Sequence, residues 1–120
     1  MRLHHIALRT ADVRGLAVFY REMIGLPDAE RPSGGRADTV WLSAGAVLVM
    51  IEPREAGEAG VPNGSMELVA FAISPADRAC VEERLARGRV VIEARTAFTL
   101  YLRDPDGRRV GLSHFPEPAG

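Results

Sequence analysis

Apolar and polar residues alternate along several short segments of the chain, and the first of these is Leu3–Thr10. Successive side chains of a β-strand point to opposite faces, so Ile6 and Leu8 share one face while His5 and Arg9 share the other. Similar segments bounded by turn residues predict further strands over residues 39–43, 47–52, 66–73, 90–93, 98–103 and 109–115.

Two segments between these strands have apolar residues at helical spacing. The first helix is predicted over residues 13–24, with Asp12 as its N-cap and Gly25 ending it. The second is predicted to begin after Ser74, an N-cap followed by proline, and to end at Gly88. The strands and helices together predict a fold of the α+β class.

The order of these elements repeats along the chain. His5 and Leu68 are 63 positions apart, and so are the helix-ending glycines Gly25 and Gly88. If a short edge strand lies near residues 27–32, the chain consists of two βαβββ modules that form a cupped mixed sheet. We expect one domain over residues 1–120, with module one at 1–53, a linker at 54–65 and module two at 66–116.

The predicted strands differ in the chemistry of their two faces. One face carries most of the bulky aliphatic residues and should pack under the helices, while the other carries smaller, polar or aromatic residues and should line the cup. On this second face, the His5 imidazole can bind a metal or transfer a proton, and the Arg9 guanidinium can hold a carboxylate or phosphate. Trp41 and Tyr101 have rings on which a flat ligand could stack.

Composition and charge narrow the functional class. The net charge of −1 predicts no nucleic-acid partner, and no apolar run is long enough to predict a membrane partner. The single cysteine, Cys80, excludes an internal disulfide and favours a reducing, cytoplasmic location. We expect Cys80 to be a small, buried or half-buried residue of the second helix and not a nucleophile.

Two sequence motifs resemble the vicinal oxygen chelate superfamily, which includes glyoxalase I, extradiol dioxygenases, and fosfomycin- and bleomycin-resistance proteins. The first is Leu3–Arg9 together with Phe19–Arg21 and Met23–Leu26, and the second is the closing DPDG hairpin within Tyr101–Val110. This resemblance covers nearly the whole chain and implies the glyoxalase/bleomycin-resistance-like fold.

Metal enzymes of the superfamily take one ligand, usually His or Glu, from each of four strands. By resemblance, His5 occupies the first of these positions, while Met50, Leu68 and Gly111 occupy the other three. A register slip of one residue would replace Leu68 with Glu67, but it would also turn the neighbouring bulky residues into the cup. A single imidazole holds a divalent ion weakly, so we expect the usual metal site to be largely lost and predict no cofactor.

The resemblance therefore favours a protein that binds a small organic molecule, anionic or aromatic, in its cup. Arg9 matches an arginine that helps glyoxalase I to hold its substrate's carboxylate, and a homodimer is expected because members of this length commonly pair. The predicted ligand-binding residues are His5, Arg9, Trp41, Met50, Glu52 and Tyr101.

Two alternatives remain open at this stage. In the first, the protein is a metal-dependent lyase or dioxygenase, with a divalent metal ion bound by an atypical site built on His5 and Glu52. In the second, it is a dimeric structural module without a ligand, which an apolar and closed cup would favour.

Overall fold

The computed structural model describes residues 1–119 and divides the chain into two compact units, with the boundary between Gly60 and Val61. This boundary falls inside the predicted linker. The α+β fold class is confirmed, since each unit contains one helical segment and one mixed sheet. The strands are β1 (His5–Thr10), β2 (Val40–Ala44), β3 (Val47–Pro53), β4 (Leu68–Ala72), β5 (Ala94–Arg95), β6 (Thr99–Arg103) and β7 (Arg109–Ser113).

The first unit has a three-stranded sheet in the order β1-β3-β2. β1 runs parallel to β3, and β2 pairs antiparallel with β3 through the predicted hairpin. The predicted edge strand at 27–32 is reduced to a single bridge between Asp28 and Leu42, with one backbone hydrogen bond on each side of it. Prolines at 27 and 32 lack the N–H groups that a longer pairing needs, which accounts for the short bridge.

The first helical segment differs in its geometry from the predicted α-helix over residues 13–24. Helix α1 (Val13–Val18) begins at Asp12, whose side chain accepts a hydrogen bond from the Gly15 N–H, and it continues as a π-helix over Phe19–Ile24. The buried residues of the segment are Leu16, Ala17, Phe19, Tyr20 and Ile24. Gly25, at φ 93°, ends the segment as predicted.

The second unit has a four-stranded sheet in the order β4-β7-β6-β5. Ser74 caps a 3₁₀ turn (Pro75–Asp77) that leads into helix α2 (Arg78–Arg87), as the sequence predicts. The turn between β6 and β7 is held by Asp104, whose buried carboxylate accepts hydrogen bonds from the backbone N–H groups of Asp106 and Arg108. No helix among the described residues is long and apolar enough to cross a membrane.

The strand predicted over residues 90–93 is wrong in its position, because the observed strand lies further along the chain. The N–H of Arg89 bonds to the Ala86 carbonyl and that of Val90 to the Leu85 carbonyl, so these residues complete the end of α2. Strand β5 follows only at Ala94–Arg95. The expectation that Cys80 is buried or half-buried is wrong, because its position on α2 is exposed.

The predicted core face is confirmed in β1, β2, β3, β6 and β7, whereas β4 has no fully buried position and both residues of β5 are exposed. The core positions are nearly inaccessible to solvent, and they include Leu8, Leu42, Val49, Ile51, Leu100, Leu102, Val110 and Leu112. Helix α1 packs against β1 and β3, so the outer faces of these strands remain without a helix from this unit.

The end of α2 generates a stability prediction. Arg89 is the only described non-glycine residue with a positive φ, 58°, a region that costs an L-residue about 1–2 kcal/mol. Arg89→Gly should therefore raise the free energy of unfolding, by up to about 1 kcal/mol, when measured by denaturant titration. Arg87→Gly, inside the last helical turn, is the control and should lower it by about 1 kcal/mol. A loss of stability in Arg89→Gly would contradict this account.

Candidate functional site

The candidate site of the first unit lies on the outer face of its sheet. The strand pairing places Ala7, Met50 and Trp41 in one row across β1, β3 and β2, because Met50 is opposite both of the others. His5 and Leu48 form the next row toward one end of β1, and Arg9 and Glu52 form the next row toward the other end. Five of the six predicted site residues therefore share one sheet face.

Two aromatic rings meet at one end of this face. The ring centroids of His5 and Trp41 are 5.6 Å apart, and the ring planes are inclined by 58°. The Nδ1 atom of His5 lies 2.9 Å from Nδ1 of His4, so one of these two nitrogens carries the proton and the other accepts it. His5 is exposed and Trp41 half-buried, and together with Met50 they form a surface suited to a flat, polarisable group.

The indole N–H of Trp41 has an unusual environment. Its nitrogen is enclosed and has no hydrogen-bond partner among the described residues. Buried tryptophan N–H groups usually find an acceptor, so this donor is unsatisfied beside the surface that Trp41 shares with His5 and Met50.

Arg9 is bound by two carboxylates at the other end of the face. Its Nε donates to both oxygens of Glu58, at 3.0 and 2.7 Å, and its Nη2 donates to Glu58 Oε1 at 2.8 Å. Its Nη1 donates to Glu52 Oε1 at 2.6 Å. Both carboxylates are bound to the Arg9 guanidinium, so it does not present an unpaired positive charge to a ligand.

The hydrogen bonds in this cluster shift the pKa values of its members. Donation from Arg9, assisted by the backbone N–H of Glu55, lowers the pKa of Glu58 to about 2. The bond to Glu58, followed in size by the bond to Glu52, raises the pKa of Arg9 above its ordinary value. Both groups remain charged throughout the physiological range. Glu58 lies in the predicted linker and was not recognised from the sequence, since nothing in its local pattern points back to β1.

His5 and Glu52 do not come together as a pair of metal ligands. His5 pairs with Leu48, and Glu52 lies four residues further along the same strand, about 13 Å away at the usual rise per residue. Ligands of one ion each lie within about 2.0–2.3 Å of it. Glu52 is 14% exposed and bonds to Arg9, and residues 1–119 contain no cluster of three or more His, Cys, Asp or Glu side chains suited to a metal.

The sixth predicted residue, Tyr101, belongs to the outer face of the second unit's sheet. It lies opposite Gly111 on β7, and the guanidinium carbon of Arg109 lies 4.1 Å from the centre of its ring. Sequence reasoning missed Arg109, although its alternation with Gly111 and Ser113 places it on the same strand face. The second unit therefore has its own cation on its outer face.

Leu68 and Gly111 occupy outer positions in the second unit, as the facing analysis predicted. Leu68 is 42% exposed while its neighbour Val69 points to the other face, so the one-residue slip toward Glu67 does not occur. A Cβ atom added to Gly111 would lie 3.4 Å from the side chains of Ala70 and Leu68. At the three positions where the resemblance implied metal ligands, Leu68 has an isobutyl group, Met50 a thioether and Gly111 a hydrogen atom.

Comparison with known proteins identifies the fold of this chain and not its activity. No protein-family model matches the chain, and no curated protein matches it. Among solved structures, a glyoxalase/dioxygenase from Nostoc punctiforme has a TM-score of 0.82 at 21% identity, covering 97% of this chain and 92% of that one. The fosfomycin resistance protein FosX from Mesorhizobium loti has a TM-score of 0.76 at 17% identity, with coverages of 99% and 91%.

A lactoylglutathione lyase from Agrobacterium tumefaciens is also similar, with a TM-score of 0.64 at 21% identity over 95% of this chain and 93% of that one. These proteins are members of the vicinal oxygen chelate superfamily, and the chain has their fold. At this level of identity, the similarity establishes the architecture and leaves the chemistry to the residues of this chain.

The Arg9 cluster generates a pH prediction. Because the folded-state pKa of Glu58 lies below its ordinary 4.5, the cluster stabilises the fold above pH 4.5 and loses this effect as the pH falls toward 2. In Arg9→Gln, the pKa of Glu58 should rise most of the way to 4.5 in a carbon-detected NMR titration. Arg54→Gln is the matched control, because Arg54 acts on Glu58 only through a small Coulombic effect, and it should change that pKa much less. An unchanged pKa in Arg9→Gln would show that Arg9 does not pair with Glu58 in solution.

Proposed function

We propose that this protein binds a small organic molecule with a flat aromatic part on the outer face of its first unit, through His5, Trp41 and Met50. The observation that carries this proposal is the 5.6 Å approach of the His5 and Trp41 rings beside Met50, on a sheet face separate from the apolar core. These aromatic and thioether groups lie outside the core packing, and they are well suited to contact with a planar ligand.

The charge on this face favours an aromatic group over an anionic one. Glu52 and Glu58 already accept the hydrogen bonds of Arg9, so a ligand carboxylate placed there would have to compete with two carboxylates of the protein. Arg9 and Glu52 then form one end of the proposed site, where the carboxylates of Glu52 and Glu58 hold the Arg9 side chain in place.

The identities of the fold neighbours are consistent with this class of function. One of them is named for resistance to fosfomycin and another for lyase activity on lactoylglutathione. Both of these compounds are small organic molecules. For this chain we propose binding without the superfamily's usual metal site, because Met50, Leu68 and Gly111 have no metal-binding side chain. A location in the cytoplasm remains part of this proposal.

Trp41 offers a direct test because it is the only tryptophan in the chain. Its fluorescence should change and saturate during titration with flat aromatic probes such as 1-naphthol and naphthalene-2-carboxylate, and 1-naphthol should bind more tightly. His5→Ala and Met50→Ala should each weaken binding about 2- to 10-fold, the effect of losing about 0.5–1.5 kcal/mol of aromatic contact. Val91→Ala, at an exposed apolar position of the second unit, is the control and should have no effect.

Two outcomes would contradict the proposal. Near-stoichiometric uptake of Mn, Fe, Co, Ni or Zn that disappears in His5→Ala would establish the metal-enzyme alternative built on His5. A stable dimer that binds neither metal nor any aromatic probe would support the ligand-free structural module instead.

We also propose that the chain forms a homodimer, as members of the superfamily often do. The strands β1 and β4 are edge strands within their own sheets, and exposed apolar side chains such as Leu3 and Met66 lie just before them. Light scattering at micromolar concentration should give twice the mass of one chain. A mass of one chain at every concentration tested would remove the dimer from the proposal.

A further inference from the structure

Arg109 differs from Arg103 and Arg108 of the second unit in its side-chain partners. Arg103 pairs with Glu93, at 2.7 Å, and Arg108 pairs with Asp104 and Asp106 across the β6–β7 turn, at 3.1 and 2.9 Å. Within residues 1–119, no side-chain hydrogen bond or ion pair reaches the Arg109 guanidinium. Its Nε is enclosed and has no acceptor.

An unsatisfied guanidinium N–H is costly. A guanidinium cannot give up its proton at any ordinary pH, so an enclosed Nε–H without an acceptor costs free energy that native structures normally avoid. The Tyr101 ring, 4.1 Å from the guanidinium carbon, holds the group by cation–π contact but accepts no hydrogen bond at Nε. Arg109 is therefore held in a defined place while its donor capacity remains unused.

A cavity of about 280 Å³ lies beside Arg109. Val61, Pro62 and Leu68 supply apolar wall, and Ser65 and Arg109 supply polar groups. Arg108 also lines the cavity, but its two aspartates neutralise it, while Glu67 lines it as an exposed residue that makes no ion pair with Arg109. The volume lies just below the usual range for small-molecule sites, which limits the occupant to roughly the size of one ring with a charged group.

We propose that Arg109, held against Tyr101, is the anion-binding residue of a site in the second unit that takes a small organic carboxylate. The guanidinium would donate to the carboxylate through its two Nη atoms, in the planar, two-bond arrangement typical of this pair, because its Nε is enclosed. The apolar wall formed by Val61, Pro62 and Leu68 favours a carboxylate with a hydrophobic part over inorganic phosphate. The site belongs to the second unit alone and does not depend on the ligand proposed for the first.

The test follows the Arg109 side chain directly by NMR in the ¹⁵N-labelled full chain. Its Nε–H signal is assigned by its loss in Arg109→Lys, and the protein is titrated at constant ionic strength with benzoate, with the uncharged benzamide and with inorganic phosphate. Benzoate should shift this signal and the Leu68 methyl signals to saturation. Benzamide and phosphate should bind at least about tenfold more weakly, because they lack the carboxylate or the ring.

Variants separate a specific site from general attraction of anions. Arg109→Gln should weaken benzoate binding at least about tenfold, since it removes the charged donor pair. Arg87→Gln removes the same charge from the end of α2, away from the cavity lining, and should leave the affinity unchanged. Tyr101→Phe keeps the ring and should bind benzoate normally, whereas Tyr101→Leu should bind it more weakly.

The proposal would be overturned by any of three results. The first is an Arg109 Nε–H signal that benzoate leaves unmoved up to its solubility limit. The second is an Arg109→Gln variant that binds benzoate as tightly as the unaltered chain, and the third is an Arg87→Gln variant that loses as much affinity as Arg109→Gln. If Arg109→Gln fails to fold, the titration of the unaltered chain decides alone, because a saturable Nε–H shift supports the site and its absence excludes it.

Discussion

The parallel pairing of β1 with β3 is the constraint on which the first unit depends. One register sets both faces at once: it buries Leu8, Val49 and Ile51 and aligns Arg9 with Glu52 on the outside. A slip of one residue would reverse both faces, placing His5 and Arg9 among apolar side chains and aliphatic groups in water. The penalty for burying an unpaired guanidinium makes this alternative register much less stable. The position of the candidate site is thus a consequence of how the core is built.

Two of the outer-face arginines, Arg9 and Arg109, show how differently the same side chain behaves in two settings. Arg9 donates to two carboxylates, one of them contributed by a segment 49 residues away, and this pairing lowers the pKa of Glu58 to about 2. Arg109 contacts an aromatic ring instead and keeps an enclosed donor without an acceptor. A paired guanidinium mainly holds its neighbours in place, whereas one with unused donors can recognise an anion.

The fold shared with glyoxalase and fosfomycin-resistance proteins does not determine the chemistry of this chain. The positions at which the resemblance implied metal ligands carry Met50, Leu68 and Gly111, which present a thioether, a hydrocarbon and a hydrogen. None of these groups is a ligand of the kind that the resemblance implied, His or Glu. The scaffold still brings an imidazole and an indole together, and this is the feature that the proposed binding function uses.

The sequence by itself determined the repeated β-α-β order, the ends of both helices, and the assignment of residues to core and outer faces. These features depend on local signals: alternation with a period of two, capping residues and turn residues. The error in the start of β5 has a local cause as well. Arg89 and Val90 donate hydrogen bonds to the last turn of α2, so β5 begins only after them.

Only the tertiary structure decided which charges meet. The sequence suggested Arg9 as an anion-binding residue, but its partner Glu58 lies in a glycine-rich linker, and no periodicity relates residue 58 to residue 9. It likewise suggested His5 and Glu52 as a pair, although the strand register separates them by four residues. Electrostatic pairing depends on distances of a few ångströms between residues far apart in the chain, and those distances exist only once the strands have paired.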